Sequence, residues 1–333
     1  MSRTSSPTSS VGSRQLASII PELAPEGELA HVPIGDFTTE AGAVLADATV
    51  AYQRWGAFAG DPDGVNNVVL VEHALTGDSN VADWWSDLVG PGKALDTTKW
   101  CVIATNALGG CNGSTGPSSL HPDGQPWGGR FPALSIRDLV EAEHDCLTHL
   151  GISRVHAVIG GSMGGARTLE WSLMHPDSVS AVCVIAVSAR ASGWQIGIQT
   201  AQISAIERDP FWHGGNYYRT DKTPRDGLAA ARRIAHLTYR GEQEIDERFG
   251  ASPQQGENPL GPHRQLNQRF AVNSYLDYQG KKLTERFDAG SYVTLTEALN
   301  RHDIGRGRGG LIKALAASQV PTMVVGVDTD ILY

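Results

Sequence analysis

The chain has 333 residues, 41% of them hydrophobic and 19% charged, with a formal net charge of -9. That length and apolar content suit one large core with an inserted subdomain, or two domains. The acidic balance offers no basic face for nucleic acid or an anionic membrane, so neither is expected as a partner, whereas a local arginine cluster can still bind a small anionic substrate.

Cys101, Cys111, Cys146 and Cys183 form no C-x-x-C pair. Zinc and thioredoxin-like readings therefore lack support, no metal site is expected, and scattered thiols suit a reducing compartment. The N-terminus has no apolar core of a secretory signal, and no apolar run reaches about 18 residues, so a cytoplasmic protein without a membrane span is expected.

Residues 1–20 are rich in Ser, Thr and Pro and read as a disordered tail. Residues 21–190 read as the first part of an α/β core. Ala48, Val50 and Tyr52 share one face of an alternating run, with Thr49 and Ala51 on the other and Gly56 at its end. This predicts antiparallel strands at a sheet edge. Short apolar runs at 66–75, 100–109, 155–162, 179–189 and 320–328 have Val- and Ile-rich centres. They suit strands buried on both faces of a parallel sheet. Between them, "IRDLVEAEHDCLTHLG" has helical spacing with Gly151 as a stop, and "ARTLEWSLMHP" ends before Pro176. Strand, helix, strand, helix, strand over 100–189 predicts right-handed βαβ units. Residues 191–312 are polar, lack buried-strand runs and carry helical patterns, which predicts an inserted helical lid. Residues 313–333 return the chain to the sheet.

Gly160-Gly161-Ser162-Met163-Gly164 fits G-x-S-x-G between a strand and a helix. Two readings apply to Ser162: a nucleophile on a strained elbow, or a serine N-cap in a glycine-rich turn. The flanking strand, helix and extra glycines favour the nucleophile. At a helix N-terminus, backbone N–H groups stabilise an oxyanion, and Met163 would supply one of them. The loop "VEHALTGDSN" would supply the second from Leu75, with His73 read as structural. Asp328 and Asp330 follow the last apolar run; one fits the triad acid and the other caps the turn. Acid precedes base in this arrangement, yet every histidine precedes Asp330. His236 and His302 fall in the insertion, His144 and His149 on a helix, and His121 in a loop. The chain is therefore expected to stop before its last strand and its triad histidine.

Other motifs carry less. Gly305–Gly310 matches G-x-G-x-x-G but follows a helix, so it reads as a basic loop, one that could face an anionic substrate. Glu141 and Glu143 read as a solvated helix face. Arg232 and Arg233 are adjacent on a helix, so at most one faces a pocket, where it would clamp a carboxylate; a solvated arginine face is the equal alternative.

Several long stretches taken together, "HALTGDSN", "GPGKALDTTKWCVIATNALGGCNGSTGPSS", "VIGGSMGGARTLEW", "ARRIAHLTYRGE", "RFDAGSYVTLTEALNRHDIGRGRGG" and "DTDILY", resemble the homoserine O-acetyltransferases. The resemblance implies an α/β-hydrolase fold, with a mostly parallel sheet and helices on both faces. It implies acetyl transfer from acetyl-CoA to L-homoserine, ping-pong, in a homodimer, with acetyl-CoA as co-substrate and no further cofactor. By the same resemblance Ser162 is the nucleophile, Asp330 the triad acid and Arg232 the ligand of the substrate carboxylate. The family's histidine lies beyond the point matching Tyr333, so these 333 residues alone are expected to be inactive. Succinyl-CoA as donor, serine as acceptor, a plain esterase and an inactive fragment are the alternatives.

Overall fold

The computed structural model describes residues 22–61, 64, 66–261 and 268–333; the tail expected at 1–20 lies outside them. Seven strands form one sheet: β1 (Ala30–Thr38), β2 (Val44–Trp55), β3 (Val68–Glu72), β4 (Cys101–Thr105), β5 (Ala157–Gly161), β6 (Val182–Ile185) and β7 (Thr322–Val325). Their order is β1-β2-β4-β3-β5-β6-β7. β1 pairs with β2, and β2 with β4, in antiparallel register; every later pair is parallel. The helices are α1 (Val81–Trp84), α2 (Ile136–His149), α3 (Met163–Met174), α4 (Gly193–Glu207), α5 (Arg225–Thr238), α6 (Glu242–Arg248), α7 (Ala271–Thr284), α8 (Ala289–Asn300) and α9 (Leu311–Ala317).

The period of two along each central strand sorts side chains onto two faces. Val68, Leu70, Cys101, Ile103 and Val158 join α2 and α3 in one large core. Val69, Val71, Val102 and Ala104 face the other way, under Val81 of α1 and Val89 of the loop behind it. Continuous apolar runs are thus explained by burial on both faces. α2 starts at a reciprocal cap: the Ser135 hydroxyl accepts from the Asp138 N–H, and the Asp138 carboxylate accepts from the Ser135 N–H. Such a cap is worth about 1 kcal/mol. It stops before Gly151, whose φ of +77° suits a residue without a side chain.

Between β6 and β7 the chain builds α4 to α9. α5 packs on α4 and α7, and α4 packs on α8. Tyr217, Leu228, Phe287 and Tyr292 from this stretch belong to the same core as the sheet.

The last apolar run departs from the expectation. β7 pairs only with β6, and Met323 and Val324 are 63% and 73% exposed. The reason is position: β7 is an edge strand, and among the described residues nothing covers these side chains.

Candidate active site

β5 delivers the chain into the elbow. Ser162 has φ 58° and ψ -123°, a backbone conformation that costs a side-chain-bearing residue free energy and persists only where the surroundings enforce it. The enforcement is visible. The Ser162 N–H donates to the Ile185 carbonyl at 3.0 Å, and the Ser162 carbonyl accepts from the Ala166 N–H at 3.0 Å. A side chain on Gly164 would stand 2.2 Å from the Glu72 carbonyl oxygen, and one on Gly160 would stand 2.5 Å from the Gly164 carbonyl. Only glycine lets β5, the elbow and the end of β3 approach this closely. The N-cap reading of Ser162 fails, because its hydroxyl makes no capping bond to α3. Its Oγ instead meets the Tyr333 hydroxyl at 2.8 Å. Burial pushes the Tyr333 phenol up, so that phenol stays protonated.

The facing wall is the turn after β3. The Gly77 N–H donates to the Ala74 carbonyl at 2.8 Å, and Leu75 and Thr76 line the cavity beside Ser162. His73 anchors this turn. Its Nδ1–H donates to the Ala74 carbonyl at 2.7 Å, and its Nε2 accepts from the Ala107 N–H at 3.1 Å. Burial, aided by the nearby Arg167 charge, lowers its pKa to about 3. It is a neutral structural imidazole, as expected.

Beneath the turn lies an ion cluster with no solvent access. Arg167 Nη2 donates to the His73 carbonyl at 2.7 Å, and its Nη1 sits 2.8 Å from Glu72 and also pairs with Glu143. Glu143 accepts in addition from the Trp171 indole at 3.1 Å. Burial works against the Arg167 charge, but Glu143 and Glu72 outweigh it and hold its pKa above the ordinary value. Burial raises Glu72 well above the carboxylate range, with Glu143 adding to the rise and Arg167 opposing it. One guanidinium cannot satisfy two buried carboxylates, so the pair resists holding two full charges.

Ser162, Leu75, Arg232, Tyr239, Asp330 and Tyr333 line one cavity of about 410 Å³. Arg232 reaches in from α5. It stands over the Tyr239 ring at 5.4 Å and donates to Thr76 Oγ1 at 3.3 Å, and among the described residues it has no carboxylate partner. Its neighbour Arg233 pairs with Asp277 at 3.1 Å on the partly exposed side of the helix. Arg286 also enters the turn, donating to the Thr76 carbonyl at 2.7 Å. Asp330 Oδ1 accepts from the Leu332 and Tyr333 N–H groups at 2.8 and 3.1 Å. One residue thus lines the cavity and caps its own turn, while Asp328 is exposed, so the expected division of labour between the two aspartates does not occur.

The comparisons with known proteins converge on this arrangement. Residues 67–332 match the family model of the alpha/beta hydrolase fold. A homoserine O-acetyltransferase of Corynebacterium efficiens is 70% identical over 314 residues, 94% of this chain and 83% of the relative. The chain belongs to the homoserine O-acetyltransferase family. A homoserine O-acetyltransferase from Bacillus anthracis superposes with a TM-score of 0.80 at 24% identity, over 92% of this chain and 84% of that one. Esterase E22 superposes with a TM-score of 0.81 at 27% identity, over 92% and 86%. A transferase and an esterase thus share this frame.

Within this family member, two sequence readings need correction. Glu143 is not on a solvated face: it is buried against Arg167, while the Glu141 side chain is partly exposed. The Gly305–Gly310 loop does not turn its arginines to a substrate. Arg306 pairs with Glu40 at 2.8 Å and Arg308 with the buried Glu170 at 2.7 Å, so the loop clamps the core. Among the described residues no histidine hydrogen-bonds Ser162 or Asp330: His302 meets the Ser188 carbonyl, His236 the Tyr275 hydroxyl, and His149 the Asp145 carbonyl. Sequence reading missed Glu72, Arg167 and Arg286. A signal existed for Glu72, the one charge ending the apolar run "VVLVE"; a charge in such a run calls for a buried partner.

Proposed function

We propose that this protein transfers an acetyl group from acetyl-CoA to the side-chain hydroxyl of L-homoserine, by way of an acetyl-serine. The observation that carries the reading is a strained serine with a non-capping hydroxyl sharing one cavity with an arginine that has no carboxylate partner among the described residues. Ser162 Oγ attacks the thioester carbonyl, the oxyanion rests on the N–H groups of Leu75 and Met163, and the C–S bond breaks to release CoA. Neither N–H is engaged elsewhere among the described residues. Arg232 pairs with the carboxylate of homoserine, whose hydroxyl attacks the acetyl-serine and regenerates Ser162. Family resemblance assigns proton transfer to a histidine beyond Tyr333, oriented by Asp330. Acetyl-CoA is a co-substrate, and no other cofactor enters.

Two further parts belong to the reading. A homodimer through the helical insertion fits the exposure of Trp194 and Tyr278 there, at 59% and 61%. A cytoplasmic place fits a set of described helices none of which is long and apolar enough to cross a membrane.

The test is CoA release by the full-length gene product, with and without L-homoserine. Rapid release only with homoserine, together with O-acetylhomoserine in stoichiometric amount, supports the transferase. Equal release with water alone identifies an esterase instead.

A further inference from the structure

At the far end of α3 from Ser162, roughly 20 Å away along the helix, three side chains that play no part in the acyl transfer converge. Glu141 and His144 stand three residues apart on α2 and so share a face. His175 is the C-cap of α3, which packs on α2. Their potential ligand atoms all lie within 4.8 Å of one another. Glu141 Oε2 and His175 Nε2 are 3.4 Å apart. Two ligands of one tetrahedral ion, each bonded at about 2.0–2.1 Å, stand at nearly this separation.

The pairing itself is loose. His175 Nε2 is buried and faces Glu141 Oε2 at 3.4 Å, a contact that lacks hydrogen-bond geometry among the described residues. Buried ring nitrogens normally find a close partner, so a loosely held one facing a carboxylate and a second imidazole is free to take an ion between them. The two imidazoles stack at 3.9 Å with an interplanar angle of 1°, bordered by the Trp171 ring. His175 also sits where the last carbonyls of α3 favour a cation. Glu141 is 46% exposed, which leaves solvent access to the group.

The geometry points to a divalent transition-metal site formed by Glu141, His144 and His175, which staples the end of α3 to α2. Two imidazoles and one carboxylate are a donor set for zinc and its neighbours rather than for magnesium or calcium. A carboxylate and a histidine three apart on one helix, joined by a histidine from another, is a ligand arrangement that helical metalloproteins also use. Water completes the tetrahedron. The stacked rings must tilt to converge on the ion, which needs only rotation about χ2, a broad torsion. The site is structural: it holds the helix that begins at the nucleophile, and no step of the acyl transfer runs through it.

The experiment uses the 333-residue chain freed of metal with a chelator. Zinc is titrated by calorimetry at neutral pH, and cobalt serves as an optical probe of tetrahedral coordination. The expected result is one bound equivalent, visible cobalt bands of tetrahedral type, a higher unfolding midpoint with zinc, and no response to magnesium. His175→Ala and His144→Ala each remove that equivalent. Glu141→Gln, at a partly exposed position where folding is safe, weakens binding by more than about a hundredfold, beyond the upper-range effect of losing only an outer-sphere partner. Absence of binding at millimolar zinc overturns the site and leaves a histidine–carboxylate contact. Undiminished binding in Glu141→Gln and His175→Ala together, or an equal response to magnesium, overturns it as well.

Discussion

Ser162 and Asp330 line one cavity but hang from opposite kinds of strand. β5 lies inside the sheet, paired on both sides, and the elbow beyond it is wedged against the end of β3 through Gly160 and Gly164. β7 is the edge, with one neighbour and two largely exposed apolar side chains. Ser162 keeps a costly backbone conformation because packing on every side enforces it. Asp330 is held by two hydrogen bonds within its own turn. The difference teaches that a strained backbone persists where dense packing enforces it, whereas a turn that bonds to itself holds its shape with little help from neighbours.

That contrast can be broken or sharpened by measurement. The largest effect belongs to the nucleophile. Ser162→Ala in the full-length gene product is expected to remove acylation by acetyl-CoA, a loss of about 10⁴-fold or more; an acetyl group still found on the protein by mass spectrometry sinks the assignment. Next comes the ion cluster beneath the oxyanion turn. Arg167→Leu strands Glu72 and Glu143 in the core and is expected to cost about 3–5 kcal/mol in urea unfolding. A cost near zero means the cluster contributes nothing to stability.

The pH dependence is of intermediate size. Folded His73 has its pKa depressed to about 3, so it is neutral when folded and protonated below about 6.5 when unfolded. The unfolded state therefore binds the extra proton. Stability is expected to fall as pH drops from 6.5 toward 3, by about 1.4 kcal/mol per pH unit from this group. His236 and His302, both lowered to about 4 by burial, act in the same direction. His73→Gln must flatten the slope; an unchanged slope shows that His73 titrates normally in the fold. The smallest effect is at the edge. Val324→Lys on β7 is expected to change stability by less than about 0.5 kcal/mol, and a loss well above that reveals a cover over the edge strand.

Much of the site was legible before any coordinates. The elbow announces itself through glycines that close packing demands, and Arg232 and Asp330 line one cavity with Ser162, while the roles the resemblance gives them belong to the proposal. Glu143 was misread because its helix looks amphipathic from its neighbours alone. The arginines of the Gly305–Gly310 loop were misread because their partners Glu40 and Glu170 are more than a hundred residues away in the chain. Asp330 as the cap of its own turn depends on backbone angles that no spacing reveals.

The sequence by itself determined the alternation of strands and helices, the stop of α2 at Gly151, the elbow and the family, because those signals act over a few residues or are carried by long motifs. Only the tertiary structure decided which charges are buried and with whom. Glu72, Glu143 and Arg167 come from β3, α2 and α3, and each reads as ordinary until the sheet brings them together. A buried charge is stable only through its partners, and partnership across the chain is a property of the fold.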